Sequence, residues 1–207
     1  MQTKVYELYT HDYSSNRYIV YTDDNDKALV VDPGLDYNVT MDGLKKTGKT
    51  LGAILITHAH FDHIESVKKL KDATGAPIYM GEKDIPLLES NGQLDWYFGK
   101  KLDAFTVDNR LIDGLIDVCG FKVNVVPTPG HTHGSLTFVI GNAAFTGDSI
   151  FCETYGRTDL PGSDPKELIE GAKRLFALPS DYDLYCGHGK NTTLGHEREF
   201  NPIRKLF

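Results

Sequence analysis

The run THAHFDHIE, Thr57 to Glu65, follows directly on the apolar stretch LGAILI, Leu51 to Ile56, and places three histidines and an aspartate within six positions. The apolar stretch reads as a buried strand. In an extended segment leaving it, His58 and His60 stand two residues apart and point to the same side, where both imidazoles can reach one cation. Asp62 and His63 fall after the chain turns and can face a second. A single histidine is more often a core or surface residue than a ligand. Four ligand-type side chains at this spacing, at the end of a strand, favour a metal site, provided further ligands exist elsewhere and a position stays open for water.

Candidate partners stand at three similar places. TPGHTHGS (128–135) puts His131 in a Pro-Gly turn between strand-like runs, FTGDSIF (145–151) puts Asp148 just beyond a strand, and YCGHGK (185–190) puts His188 beyond another. Each sits where a strand gives way to a glycine-containing loop, so a rigid sheet can hold the side chain while leaving room for substrate.

Around these motifs the chain has the makings of an ordinary globular protein. Its 207 residues are 40 % hydrophobic and 25 % charged, enough for one large core, and one domain spanning 1–207 is the expectation. The net charge of −7 disfavours nucleic acid and anionic membrane surfaces as partners. No apolar run approaches the roughly 18 residues needed to span a bilayer, and the start lacks a secretory pattern, so a cytoplasmic protein is expected. Cys119, Cys152 and Cys186 are odd in number and far apart, which reads as reduced thiols packed as small residues. Short strand-like runs dominate, from KVYELYT to DLYCG, with helices expected over about Tyr37–Lys46, His63–Thr74 and Asp164–Leu178. The last has the clearest start, SDPKEL. The segment 82–114 reads as a helix and loop excursion over the site.

Taken together, RYIVYT, ALVVDPG, THAHFDH, TPGHTHGS, FTGDSIF, YGRTDLPGSDPKEL and CGHG resemble the metallo-β-lactamase fold superfamily, most of all the short, single-domain members of its glyoxalase II branch. The resemblance runs through nearly the whole chain. It implies an α+β fold, a four-layer αββα sandwich with the metals at one edge of its two sheets. It further implies that His58, His60 and His131 hold one metal, that Asp62, His63 and His188 hold the second, and that Asp148 bridges them. Two divalent ions, zinc by preference with iron or manganese also accepted by such ligands, would then be the cofactors. Ions about 3.5–4 Å apart bring the pKa of a shared water from 15.7 toward about 7, and one of them polarises the carbonyl under attack. Asp62 and Asp148 are the carboxylates expected to take part in catalysis, Asp62 by orienting the attacking hydroxide.

The resemblance implies hydrolysis of a small-molecule thioester, such as S-lactoylglutathione or a related S-acyl thiol, and the chemistry is compatible, since a thiolate with a conjugate pKa near 8.5 would leave without a strong general acid. In the β-lactamases a cysteine usually stands at the place of Asp148, and diiron flavoprotein oxygen reductases carry Glu at that of His60. The alternatives are a mononuclear iron persulfide dioxygenase, which shares the GRTD loop and uses the equivalents of His58, His131 and Asp148, a lactone or other ester hydrolase, and a protein whose metals are structural. Tyr155 and Arg157 lie where the family's substrate loop begins, so both are candidate substrate contacts, although Arg157 can instead brace the loop through Asp159. Asp32, in VDPG, is expected to orient a ligand imidazole. His133 is read as a pocket residue or one without a role, His11 and His196 as surface residues, and DWYF (95–98) as either a hydrophobic lid or core.

Overall fold

The computed structural model describes residues 2–8, 15–90 and 92–207. His11 lies outside the described residues. Two six-stranded sheets face each other. The first has the order β1 (Lys4–Leu8), β2 (Arg17–Tyr21), β3 (Lys27–Val31), β4 (Thr50–Ile56), β5 (Ile78–Gly81), β6 (Asn109–Leu111), antiparallel as far as β3 and parallel from there on. The second contains β7 (Gly114–Val118), β8 (Phe121–Pro127), β9 (Leu136–Ile140), β10 (Ala143–Gly147), β13 (Asp183–Cys186) and β14 (Thr192–Thr193). Its order is β14-β13-β10-β9-β8-β7, with β13 parallel to β10. A short hairpin, β11 (Ile150–Phe151) and β12 (Thr154–Tyr155), stands apart from both.

Alternation of side chains along the strands divides the apolar residues into three layers. On β4, Ile54 and Ile56 face outward with Val30 and Ile78 against Leu44, Val67 and Leu70. Those three belong to the helices α1 (Tyr37–Thr47) and α3 (Val67–Thr74). Ala53 and Leu55 face the other way and meet Val123, Val125, Phe138 and Phe145 of the second sheet. The outer face of that sheet, with Val126, Val139 and Ala144, is covered by Leu168, Ala172 and Leu175 of α5 (Pro165–Phe176) and by Leu194 of α6 (Leu194–Phe200). Helix, sheet, sheet, helix is the expected αββα order.

The helix boundaries follow local chemistry. Helix α5 starts at Pro165 because the Asp164 carboxylate accepts the backbone N–H groups of Lys166 and Glu167. The helix expected over His63–Thr74 is broken into α2 (Phe61–Ile64) and α3, with a turn at Glu65–Ser66. The break has a cause: the Ser66 amide donates to the Gly34 carbonyl at 3.0 Å, and its hydroxyl donates to the Pro33 and Gly34 carbonyls at 3.1 and 2.8 Å. These bonds pull the chain off the helical path and tie it to the loop after β3.

Segment 82–114 also departs from expectation. It contains α4 (Ile85–Glu89) and a helical turn over Asp95–Phe98, but also β6 and the start of β7. With three residues, β6 has too short a pattern to read and exists through its pairing with β5. Of the cysteines, Cys186 is buried in the core, whereas Cys119 is exposed and Cys152 half-buried, so the packing reading holds for one of the three. No helix among the described residues is long and apolar enough to cross a membrane.

Candidate metal centre

All seven candidate ligands lie at the C-terminal ends of strands or just beyond them, on one edge of the sandwich. His58 and His60 follow β4, Asp62 and His63 form the first turn of α2, His131 lies between β8 and β9, Asp148 follows β10 and His188 follows β13. The two sheets are joined at this edge, since the Leu136 amide donates to the Thr57 carbonyl at 2.9 Å. Strand ends from both layers thus converge on one point.

His58, His60 and His131 form one group whose donor atoms all lie within 4.8 Å of one another, and Asp62, His63 and His188 form another within the same limit. The Asp148 carboxylate sits between them. Its Oδ2 is 3.4 Å from His131 Nε2 and 3.5 Å from His188 Nε2, and its Oδ1 is 3.3 Å from His63 Nε2. Asp62 Oδ2 is 3.1 Å from His188 Nε2. Glycine makes the close approach possible at Gly187, where a Cβ would fall 2.1 Å from Asp148 Oδ1 and 2.9 Å from His63 Cε1.

Outer hydrogen bonds fix which ring nitrogen His58, His63 and His131 present inward. His63 turns Nδ1 to Asp32 Oδ2 at 2.9 Å, as expected for Asp32. Thr57 Oγ1 donates to that oxygen at 2.6 Å and stands 3.1 Å from His58 Nδ1, so Asp32 steadies a second ring through the hydroxyl. His131 turns Nδ1 to the Arg157 carbonyl at 2.9 Å, which leaves Nε2 facing His60 Nδ1 at 2.9 Å.

The resulting centre fits a cation. His58 Nε2, His63 Nε2 and Asp148 Oδ1 are buried with no hydrogen-bond partner among the described residues, a costly arrangement unless something else satisfies them. Burial holds His58 well below the usual histidine range, and burial together with His131 pushes His60 down to about 3, so both rings are neutral, the form that ligates. His63 and His188 go the other way: burial would lower them, but the neighbouring carboxylates, Asp148 above all, hold both above the usual range. Asp148, although buried, is kept well below the usual carboxylate range by His63 and His188.

A residue that the sequence motifs do not point to ties this arrangement together. Asp84, fully buried at the start of α4, accepts the Ala59 amide at 2.9 Å and the Gly134 amide at 2.7 Å, and also the Thr132 hydroxyl at 2.9 Å. One carboxylate thereby binds the loop of His58 and His60 to the loop of His131. Burial raises its pKa above 3.8 against the effect of those three donors. The available signal is its position, since it lies three residues beyond the end of β5.

The centre opens into a cavity of about 450 Å³. Trp96, Tyr97 and Phe98 line one part of it, and Phe151, Tyr155 and Leu160 another. DWYF is therefore a wall: Trp96 is 68 % and Tyr97 74 % exposed, while Phe98 packs against Phe61 at 5.2 Å between ring centroids. Tyr155 and Arg157 both line the cavity. The Arg157 guanidinium, however, donates to both Asp159 oxygens at 2.6 and 2.7 Å, the bracing arrangement. His133 faces away from the centre and pairs with Glu167 at 2.7 Å. His196 is at the surface, 3.1 Å from Glu153.

A helix-flanked double sheet that brings six histidine and aspartate donors, and a carboxylate between them, to one edge defines a metallohydrolase type of enzyme. The chain belongs to the metallo-beta-lactamase superfamily, whose family model matches residues 12–188. It is 37 % identical to a probable metallo-hydrolase of Streptococcus pyogenes over 97 % of this chain and 90 % of the relative. It is 34 % identical to the hydroxyacylglutathione hydrolase GloC of Haemophilus influenzae, over 87 % and 89 %. Among solved structures it is similar to the BLEG-1 B3 metallo-beta-lactamase, with a TM-score of 0.88, 32 % identity and coverage of 98 % of this chain and 99 % of the other. It is also similar to TTHA1623 in a di-iron-bound form, with a TM-score of 0.84, 35 % identity and coverage of 96 % and 100 %.

Proposed function

We propose that the chain is a single-domain, dinuclear metal-dependent hydrolase of thioesters, with His58, His60 and His131 holding one ion, Asp62, His63 and His188 the other, and Asp148 shared between them. The observation that carries this reading is the Asp148 carboxylate, which comes within 3.3 to 3.5 Å of histidines from both groups. A mononuclear site would not need the second group to be complete. Divalent ions at such a centre supply a nucleophile from water at neutral pH and polarise the scissile carbonyl.

The protein's own groups then position and exclude. Asp148 balances the charge of both ligand groups. Asp62, on the cavity wall and 3.1 Å from His188, is the carboxylate placed to orient the attacking oxygen. Asp32 and the Arg157 carbonyl hold His63 and His131 in the ligating tautomer. The aromatic walls suit an acyl-thiol of modest size and shield the reacting centre from bulk water. Arg157 is neutralised by Asp159, so it does not present a free cation to an acidic thiol carrier. This favours recognition through the acyl group and the thioester. The likeness to a hydroxyacylglutathione hydrolase supports S-lactoylglutathione as the first substrate to assay.

The test is a panel on the purified, metal-loaded protein: S-lactoylglutathione, smaller S-acyl thiols, a lactone, a chromogenic cephalosporin, and a thiol persulfide with an oxygen electrode. Thioester cleavage without oxygen uptake is expected, and His63→Ala or His188→Ala should lower it by at least about a hundredfold, the scale of losing one electrostatic stabiliser of the transition state. Oxygen uptake with the persulfide, indifferent to those two substitutions and with iron as the only metal, would establish the dioxygenase instead. Turnover of the cephalosporin ahead of every thioester would place the chain with the β-lactamases.

A further inference from the structure

The turn between β11 and β12 carries Cys152 and Glu153, and both face His196 in the first turn of α6. The donor atoms of these three side chains lie within 4.8 Å of one another. His196 Nε2 and Glu153 Oε1 are 3.1 Å apart. We propose that Cys152, Glu153 and His196 form a further, peripheral site for a borderline-soft divalent cation, zinc being the one their donor set suits best. This proposal does not depend on the reading of the hydrolytic centre.

The chemistry of the set is specific. A thiolate, an imidazole and a carboxylate are the three side-chain types that zinc takes in tetrahedral sites, and three protein ligands leave one position for water. A thiolate also selects against magnesium and calcium. The seven residues of the hydrolytic centre include no sulfur, so the two sites differ in the metals they prefer.

The framework around the three donors is already ordered. Glu197, fully buried one residue beyond His196, accepts the Glu153 amide at 2.9 Å and the Thr192 hydroxyl at 2.7 Å. Asn201, also buried, donates to the Thr154 carbonyl at 2.8 Å and to the Phe151 carbonyl at 3.3 Å. The turn is therefore bonded to α6 on both sides of Cys152 and Glu153, and little order remains to be imposed when an ion arrives. Glu153 adopts a φ of 57°, a left-handed conformation uncommon outside glycine, and the bond from its amide to Glu197 holds it there. The same hairpin carries Phe151, whose ring lies 6.1 Å from that of His188, and Tyr155 on the cavity wall. An ion at this site would fasten one wall of the cavity to α6.

Cobalt(II) distinguishes the site from the hydrolytic centre, because only a sulfur ligand gives a thiolate-to-cobalt charge-transfer absorption. The metal-free full-length protein, kept reduced with a phosphine, is titrated with cobalt and read for that absorption. We expect it to saturate, to survive Cys119→Ser and to vanish in Cys152→Ser. His196→Ala should weaken cobalt binding at this site by at least about tenfold, the lower end of what even an indirect metal partner contributes. All three exchanged residues reach the surface, and far-ultraviolet circular dichroism checks that each variant is folded. Absence of the absorption at saturating cobalt, its persistence in Cys152→Ser, or an unchanged affinity in His196→Ala would each overturn the proposal. Failure of the hydrolytic reading would leave the charge-transfer result untouched.

Discussion

Replacing Asp84 with alanine tests whether the two ligand loops are held by this one carboxylate. The substitution takes the acceptor away from the backbone amides of Ala59 and Gly134 and from the Thr132 hydroxyl. The hydroxyl can turn to Ser135 Oγ, 2.7 Å away, but the two amides are fixed by the backbone and buried. Each buried donor left unpaired costs about 1–3 kcal/mol, so the loss should be about 2–6 kcal/mol. That is a large share of the 5–15 kcal/mol that holds a typical domain together. Urea unfolding of the metal-free protein would read it as a lower midpoint.

The same change loosens the tie between the His58–His60 loop and the His131 loop, leaving the bond from the Leu136 amide to the Thr57 carbonyl, and affinity for the first ion should fall by about 10- to 100-fold, the usual effect of removing an outer partner of a ligand. Asp84→Asn, which keeps one carbonyl acceptor, should lie between. Its comparison with the parent has a defined pH dependence. The folded pKa of Asp84 is raised above 3.8 by burial, so the folded state binds the extra proton in the window between 3.8 and that raised value. The parent therefore loses stability relative to the Asn variant as pH rises through that window, and the difference is constant above it. If Asp84→Ala unfolded within about 0.5 kcal/mol of the parent, the span of an ordinary surface substitution, and bound its first ion equally well, the loops would be shown to hold themselves.

Other outcomes follow from the same geometry. Asp148→Ala should lose metal content and hydrolysis together, and elemental analysis finding two ions with near-normal turnover would rule out a shared carboxylate. Gly187→Ala should weaken binding at the Asp62, His63 and His188 group and also cost stability, because its Cβ would stand 2.1 Å from Asp148 Oδ1 and 2.9 Å from the Gly147 backbone carbon; metal titration alongside urea unfolding checks both halves, and unchanged values of both would refute it. Burial pushes the Cys186 thiol up to about 12, so at pH 8 it stays protonated and unreactive, and an alkylating reagent should label exposed Cys119 and spare Cys186. Equal labelling of the two, followed by mass spectrometry of the folded protein, would contradict that environment.

Much of the candidate site can be read in the sequence because its chemistry is local to four short motifs. Three of them place histidine or aspartate beside glycine just beyond a strand, and the fourth puts His58, His60, Asp62 and His63 into one stretch whose spacing suggests a cation. The layered fold is less local. Strand β4 reads as nearly continuous apolar sequence, and which of its residues face the helices and which the second sheet is decided by pairing across the molecule. The same holds for β6, three residues that form a strand only because β5 lies beside them. The break before α3 was hidden for another reason: it depends on Ser66 finding carbonyls 32 and 33 residues back in the chain. Asp84 escapes notice because nothing near it in sequence needs it. Its partners are an alanine, a threonine and a glycine, chosen by where their donors lie and not by side-chain type. The walls of the cavity were half legible, since DWYF is plainly hydrophobic but only the fold shows it standing at the rim.

The place of β13 within the second sheet sets the order in which a newly made chain can become competent. This strand, Asp183–Cys186, lies between β10 and β14, and His188 follows it. During synthesis His58, His60 and His131 are all available long before β13 is, and they could collect a cation while β10 still has an open edge. The second group stays incomplete until β13 pairs with β10, because the Gly187 amide reaches the Gly147 carbonyl at 2.8 Å only in the joined strands. Pairing between distant segments is slow compared with local structure. On the proposed reading, a chain stalled before residue 183 would lack His188 and with it a complete second ligand group, so hydrolysis would have to wait until translation has passed this strand.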